Sequence, residues 1–191
     1  MDTDGFWDLV ESSAAGGPGC ERAERLTERL AGLPLPEVLE FQLRLDEARA
    51  PLDTAGTLAL ARLVLRGRVS DDGLWYFHVW LIGLGRAAHR LAVHDPDALA
   101  DHPALRRLAA LPYERWTDDD FPDWEALDYC ARDAHERLTG EEDGLEDGLE
   151  DGLAALGHEM PCDAAFADPL WTPAETAARL PRLTALFADA A

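Results

Sequence analysis

Apolar residues recur at intervals of three and four along most of this chain, and no stretch alternates apolar and polar residues long enough to suggest a strand. That spacing places apolar side chains on one face of an α-helix, where they form a stripe that must be buried. The clearest case is residues 123–139, followed by Gly140, which suits a helix C-cap. Its seam consists of Trp124, Leu127, Ala131, Ala134 and Leu138. The sequence therefore predicts an all-α fold.

Prolines, glycines and capping residues divide this pattern into about seven to nine helices. The most apolar of them is predicted to begin after Ser70 and to run to about Val93 as a central helix. A capping box of Thr172 and Glu175 begins the last helix, which Pro181 interrupts. The 191 residues, 47% of them apolar, are enough to build one continuous core. We therefore expect a single-domain compact helical bundle over residues 1–191.

The charge of the chain is strongly negative, with 38 acidic residues against 17 basic ones and a formal net charge of −21. Binding to a nucleic-acid backbone or an anionic membrane depends on clustered basic side chains, so we expect neither as a direct partner. All the basic residues are arginine, and the lack of lysine excludes Schiff-base chemistry and the lysine of a phosphate-binding loop. A cationic protein or peptide is the partner that this charge favours.

No stretch of the sequence is predicted to target or anchor the chain. The longest nearly apolar run, residues 74–84, is shorter than the roughly 18 residues needed to cross a bilayer. Cys20, Cys130 and Cys162 form no paired motif, and their odd number favours reduced thiols over a disulfide framework. We expect a cytoplasmic protein.

Residues 141–153 are predicted to form an acidic low-complexity loop within the domain. The segment repeats Glu-Asp-Gly-Leu three times between Glu142 and Leu153. A period of four matches no solenoid repeat, and the load of acid and glycine opposes packing. We expect this loop to contribute charge but little core, and a dedicated binding segment is the alternative.

Motifs that would carry chemistry are incomplete. Residues 83–88 have the outline of a dinucleotide-binding loop, but the parallel strand and acid that should follow are missing, so close helix packing is favoured. The nearest pairs of metal ligands, His89 with His94 and Cys130 with His135, are five apart and fall on different helix faces. We predict neither a metal nor a cofactor, assign no catalytic residue, and leave open whether the protein is an enzyme.

An acidic and aromatic segment is the first candidate site. We take Trp116, Asp118, Asp119, Asp120 and Asp123 as a candidate partner-binding surface, because carboxylates beside aromatic rings suit a cationic ligand. The aspartates resemble part of a calcium loop, but the glycine and terminal glutamate of that motif are missing. Capping of the following helix is the alternative role.

Polar groups within the predicted central helix are the second candidate site. We take Asp72, Tyr76, His78, Trp80 and Arg86 as a candidate ligand pocket, because polar side chains amid an apolar element are a common pocket composition. The alternative is that Arg86 is a structural partner of carboxylates on other elements.

Several blocks of the sequence resemble a known family. They are Phe6-Trp7 with Leu9-Val10-Glu11, Ser70-Asp71-Asp72, Tyr76-Phe77, Trp80-Leu81-Ile82, Gly85-Arg86, Asp95-Pro96-Asp97 with Leu99-Ala100, and the later stretch from Tyr129 to Gly140. With them the chain is similar, over most of its length to Gly140, to an uncharacterised bacterial family known only as a domain of unknown function. The resemblance implies a helical fold and a standalone or fused module, in some relatives joined to WGR modules. Leu74, Trp75 and His78 stand where that family is expected to have phenylalanine, glutamate and arginine.

The sequence favours a non-catalytic binding or regulatory module that recognises a protein or peptide, preferably a basic one. The alternative is a small enzyme or ligand-binding protein of a specialised bacterial pathway, with its pocket around the central helix. A toxin-neutralising immunity protein is a third hypothesis, which rests only on acidity and size.

Overall fold

A computed structural model describes residues 1–14, 19–140, 148–161 and 169–188. Within these ranges every regular element is helical and there is no strand, so the all-α prediction is confirmed. The α-helices are α1 (Thr3–Ser13), α2 (Gly19–Ala31), α3 (Leu35–Arg49), α4 (Ala55–Val64), α5 (Asp71–Gly83), α6 (Arg86–His94), α7 (Pro103–Ala110), α8 (Ala126–Thr139), α9 (Gly148–Ala155), α10 (Pro173–Arg179) and α11 (Pro181–Ala188). The described ranges therefore contain more helices than the seven to nine predicted. The break at Gly85 and the formation of α9 account for part of this difference.

The predicted central helix is two helices. Helix α5 ends at Gly83 and α6 begins at Arg86, and between them Gly85 has a φ of 99°. A residue with positive φ cannot continue a right-handed helix, and glycine adopts that conformation without strain. The prediction of one helix as far as Val93 is therefore wrong at Gly85.

Contacts between residues divide the chain into two compact units. Unit 1 consists of Met1–Ala50 and Trp124–Cys162, and unit 2 consists of Pro51–Asp123 and Asp163–Ala191. Each unit joins two separate stretches of the chain, so its core depends on contacts between residues that are distant in sequence. A single domain over residues 1–191 stays a prediction.

Helix α8 packs along α2 in unit 1 and also contacts α3 and α9. The predicted seam of α8 is buried as far as Ala134, whereas Leu138 in the last turn is exposed. Gly140 adopts the left-handed conformation predicted for the C-cap. Helix α1 adds Phe6, whose ring centroid lies 5.2 Å from that of Phe41 in α3. Unit 1 is thus built on the amphipathic faces that the sequence displays.

The second half of the predicted acidic loop is helical. Residues 141–147 lie outside the described residues, but α9 follows them, and its Leu149 and Leu153 are buried on one face against α3 and α8. Gly152 permits this approach, since a Cβ there would lie 2.9 Å from Cδ2 of Leu39. The expectation of a loop with little core is wrong here, because burying a leucine contributes about 1.5–3 kcal/mol and a helical glycine costs only about 1 kcal/mol.

Helix α5 supplies much of the core of unit 2, as predicted for the most apolar segment. The Ser70 hydroxyl is its N-cap and accepts the backbone N–H of Gly73 at 3.0 Å. The side chains that α5 buries almost completely are Leu74, Phe77, His78, Val79, Leu81 and Ile82. They occupy most of the helix circumference, so α5 is covered on most sides.

Helix α11 is fixed against the 3-10 helix Pro96–Asp101 of unit 2 by a carboxylate at its start. Asp97 accepts the backbone N–H groups of Arg182 and Leu183, each at 3.0 Å. The guanidinium of Arg182 also pairs with Asp101. These bonds satisfy two donors at the helix N-terminus and set the position of α11, which also packs on α4.

Candidate functional site

A cavity of about 290 Å³ lies beside Trp171 in unit 2, and we call it the Trp171 cavity. One wall is helix α4, which contributes Ala59, Arg62 and Leu63. The start of α4 is fixed by Thr54, whose hydroxyl accepts the backbone N–H of Thr57 at 3.1 Å. This wall is therefore part of a well-capped helix.

The other wall of the cavity comes from the C-terminal segment. Its lining residues are Trp171, Pro173, Thr176 and Thr184. The predicted capping box is present: the backbone N–H of Thr172 donates to the Glu175 carboxylate at 2.8 Å, and that of Glu175 donates to the Thr172 hydroxyl at 3.3 Å. The box fixes the turn directly after Trp171.

The indole of Trp171 is held on two sides. Gly56 in α4 makes room for it, since a Cβ at Gly56 would lie 3.2 Å from the indole Cη2. The guanidinium carbon of Arg179 lies 4.5 Å from the centroid of the ring, within cation–π distance. The cavity thus has one flat aromatic wall in a fixed position.

Thr184 and Arg62 of the lining have side chains without a partner among the described residues. The Oγ1 atom of Thr184 is buried and makes no hydrogen bond to any described residue, although a buried hydroxyl left unpaired costs about 1–3 kcal/mol. Arg62 is exposed and forms no ion pair with any residue in the described ranges. Both groups are available to a ligand.

The predicted ligand pocket does not coincide with the Trp171 cavity, since none of its five residues lines that cavity. Asp72 is exposed in the first turn of α5 and Arg86 is exposed at the start of α6. The length of α5, roughly 20 Å at 1.5 Å per residue, separates these two side chains. Tyr76 and Trp80 lie between them and are half-buried. The five-residue pocket stays a prediction.

His78, the remaining residue of that predicted pocket, is completely buried. Its Nδ1 lies 3.5 Å from a carboxylate oxygen of Asp53, just before α4. A buried imidazole beside a carboxylate suits a structural contact between α5 and the start of α4, which also pack together.

The predicted partner-binding surface is partly used inside unit 2. Trp116 is buried, and its indole N–H donates to the carbonyl of Leu111 at 3.3 Å, so its ring is not available at the surface. Asp120 accepts the backbone N–H of Thr117 at 3.0 Å and its hydroxyl at 2.8 Å, and it also pairs with Arg107. The hydrogen bonds from Thr117 hold the pKa of Asp120 below its usual range.

The other three aspartates of that predicted surface, Asp118, Asp119 and Asp123, are exposed. Asp118 and Asp119 belong to the 3-10 helix Asp118–Asp120 and form no ion pair with a described residue. They do not cap the following helix, because the N-cap of α8 is Glu125. Asp118 and Asp119 are therefore free to meet an external cation.

A buried cluster of charged side chains in unit 1 was not predicted. The carboxylate of Asp46 in α3 lies 2.8 Å from Nε2 of His158 and accepts the Gln42 amide N–H at 3.0 Å. Arg49 lies 3.5 Å from Asp46 and also pairs with Asp128. Burial raises the pKa of the Asp46 carboxyl, and its hydrogen bond to His158 and the charge of Arg49 oppose this rise. A histidine oriented by a buried carboxylate resembles part of a general-base site.

The Asp46 carboxyl should make folding depend on pH in a definite direction. Because its pKa is raised in the folded state, its contribution to stability is largest below 3.8, its ordinary pKa, and falls as pH rises through the folded value. The free energy of unfolding of the wild type, relative to Asp46→Asn, should therefore decrease as pH rises from about 3.5 to 7. Urea denaturation at several pH values measures this, and Glu47→Gln, at the exposed neighbouring position, reports the effect of surface charge. A relative stability that increases with pH would show that the cationic partners outweigh burial.

Cys130 is the one cysteine whose side chain lies in the described part of the chain, and burial raises its pKa to about 12. Its thiol is therefore protonated at neutral pH and unsuited to act as a nucleophile.

Among the described residues no group of three or more His, Cys, Asp and Glu side chains is placed to hold a metal ion. No helix in those ranges combines the length and the apolar character that a membrane span requires.

Comparison with known protein families gives a match over most of the chain. A family model described as "Protein of unknown function (DUF4240)" matches residues 1–137. No curated protein and no solved structure matches the chain. The matched region begins before α1 and ends within α8, so it includes Asp46 and Arg49 but neither His158 nor Trp171. Because the model spans well over half of the residues, the chain belongs to the DUF4240 family of proteins of unknown function.

Proposed function

We propose that this protein is a non-catalytic binding or regulatory module that recognises a cationic protein or peptide through exposed carboxylates of unit 2. Nucleic acid and anionic membranes are not expected as direct partners, because a net charge of −21 repels both. The module is expected to act in the bacterial cytoplasm, alone or fused to other modules such as WGR modules.

The observation that carries this proposal is the excess of acidic residues over arginines in the chain. Even if all 17 arginines paired with one acidic residue each, 21 acidic residues would remain, which equals the net negative charge. In unit 2, Asp71, Asp72, Asp118 and Asp119 are exposed and form no ion pair with a described residue. Such carboxylates steer cationic partners to the surface and are neutralised when the partner binds.

A defined cationic probe tests the proposal. We expect a peptide of alternating arginine and glycine to bind the protein in calorimetry at about 0.05 M NaCl, where screening is weak. The double variant Asp118→Asn/Asp119→Asn should bind it roughly two- to thirtyfold more weakly, because each exposed ion pair contributes about 0.2–1 kcal/mol.

The matched control is Asp8→Asn/Glu28→Gln, which removes two exposed charges from unit 1. Its affinity should stay close to that of the wild type. Equal weakening in both double variants would mean that only total charge matters and that Asp118 and Asp119 form no recognition surface. Absence of binding to the wild type would contradict the proposal as a whole.

A small ligand-binding protein or enzyme of a specialised bacterial pathway is the second candidate function, and the Trp171 cavity favours it. Its volume of about 290 Å³ is at the small end of ligand pockets, which measure roughly 300–1,000 Å³. Among the described residues of its lining there is no acid, histidine or cysteine that would act as a base or nucleophile. The cavity therefore supports ligand binding over catalysis.

A further inference from the structure

We infer that the Trp171 cavity binds a small apolar molecule that carries a carboxylate. The inference rests on the second candidate function, in which this protein holds a ligand. It does not involve the acidic surface proposed for a cationic partner, so either can fail without the other. Three properties of the lining point to this ligand class: apolar walls, and a cation and a buried hydroxyl that have no partner in the part of the chain that the structure describes.

The walls of the cavity select an apolar body. Trp171, Pro173, Ala59 and Leu63 provide an aromatic ring, a proline ring and aliphatic side chains. A ligand that covers these groups gains free energy in proportion to the apolar area removed from water. The volume of about 290 Å³ restricts that ligand to one ring or a short branched chain.

The charge of the lining selects an anion. Arg62 is the charged side chain among the described lining residues, and it forms no ion pair with a described residue. Its guanidinium offers parallel N–H donors that match the two oxygens of a carboxylate. One arginine balances one negative charge, whereas a phosphate monoester carries about −1.5 to −2 at neutral pH.

The net charge of the chain opposes an anion only at long range. At physiological ionic strength, interactions between exposed charges are largely screened beyond about 8 Å. A carboxylate in the cavity therefore responds mainly to its direct contact with Arg62.

Thr184 adds a specific polar contact. A threonine in a helix commonly bonds its hydroxyl to a carbonyl of the preceding turn, but Oγ1 of Thr184 is buried and makes no such bond. A ligand oxygen in the cavity satisfies this hydroxyl, which removes the cost of leaving it unpaired.

Matched acid and amide probes test the inference, and two pairs separate the possible sources of the carboxylate. The first pair is 4-phenylbutyrate and 4-phenylbutanamide, which represent a free small acid. The second is acetyl-Gly-Leu and its C-terminal amide, which represent the last residue of a peptide. Calorimetry gives the affinities. The indole N–H signal of Trp171 in the ¹H–¹⁵N spectrum, assigned with Trp171→Phe, locates the binding.

We expect at least one acid to shift the Trp171 signal and to bind roughly two- to fivefold more tightly than its amide, because solvent weakens the ion pair with the exposed Arg62. If 4-phenylbutyrate binds more tightly than its amide, the site takes a free acid. If only acetyl-Gly-Leu binds more tightly than its amide, the site takes a peptide C-terminus. Equal affinities for acid and amide in both pairs, or no shift of the Trp171 signal, would overturn the inference.

Variants test whether Arg62 causes the tighter binding of the acid than of the amide. Arg62→Gln should remove the difference between acid and amide, whereas Arg90→Gln, at an exposed arginine of α6 outside the lining, should retain it. Thr184→Val should weaken binding of the acid while leaving helix content unchanged. Loss of the preference in Arg90→Gln as well would assign it to overall charge and overturn the role of Arg62. The comparison of acid with amide needs no variant, so it stands even if one of them does not fold.

Discussion

Replacing Arg49 with alanine is expected to lower the free energy of unfolding by about 3–5 kcal/mol. Arg49 is 3% exposed and forms ion pairs with Asp46 and Asp128. Without the guanidinium both carboxylates lose this cation, and Asp46 remains buried beside His158 and Gln42. Removing one partner of a buried ion pair leaves a buried charge that is less well compensated, which costs more than the intact pair contributes. Urea denaturation followed by circular dichroism at pH 7 measures the change.

Arg44→Ala is the matched control for this variant. Arg44 lies on the same helix, is partly exposed and pairs with Glu40 and Glu47. Because exposed ion pairs contribute about 0–1 kcal/mol, we expect a correspondingly small loss. If both variants lost the same small amount, the Asp46 cluster would be solvated rather than buried.

Replacing Leu153 with alanine is expected to lower the free energy of unfolding by about 2–5 kcal/mol. Leu153 is completely buried on the face of α9 that packs against α3 and α8. The substitution removes apolar contacts and leaves a cavity that the surrounding helices fill only in part. The experiment asks whether a segment of low-complexity composition belongs to the core of unit 1.

Leu156→Ala provides the control, because Leu156 follows α9 directly and is 55% exposed. A surface change of this kind should alter stability by no more than about 0.5 kcal/mol. Equal, small effects at the two positions would mean that α9 does not pack as described.

The sequence predicted those elements whose formation depends on nearby residues. The apolar seam of α8 is buried over most of its length, and the caps at Ser70 and Thr172 form as expected. Each cap joins residues three positions apart, so the signal and the structure lie in the same short segment. All of these elements are helical, which is why the fold class was predicted correctly.

The two wrong elements show where local patterns mislead. Apolar periodicity continues through Gly85, but the backbone there has a positive φ and ends the helix. The acidic repeat looks like a loop by composition, yet Leu149 and Leu153 bury enough apolar surface to hold α9. At Gly85 the backbone conformation outweighed the apolar periodicity. In α9 tertiary packing outweighed the acidic, glycine-rich composition.

The two sites found in the structure join distant parts of the sequence. Asp46 and His158 are 112 positions apart, and the Trp171 cavity combines residues 59–63 with residues 171–184. A partial signal existed for the first, because Gln42, Asp46 and Arg49 are spaced to share one face of α3. No such signal existed for the cavity. Nothing in the sequence around Gly56 indicates that this glycine makes room for the indole of Trp171.

The dependence on salt of binding to the arginine–glycine peptide tests the proposed function most directly. If exposed carboxylates of unit 2 recognise the partner, the dissociation constant should rise steeply as NaCl increases from about 0.05 to 0.5 M, because screening weakens exposed ion pairs. The difference between the wild type and Asp118→Asn/Asp119→Asn should shrink over the same range. A dissociation constant that does not change with salt would contradict recognition through the exposed carboxylates of unit 2.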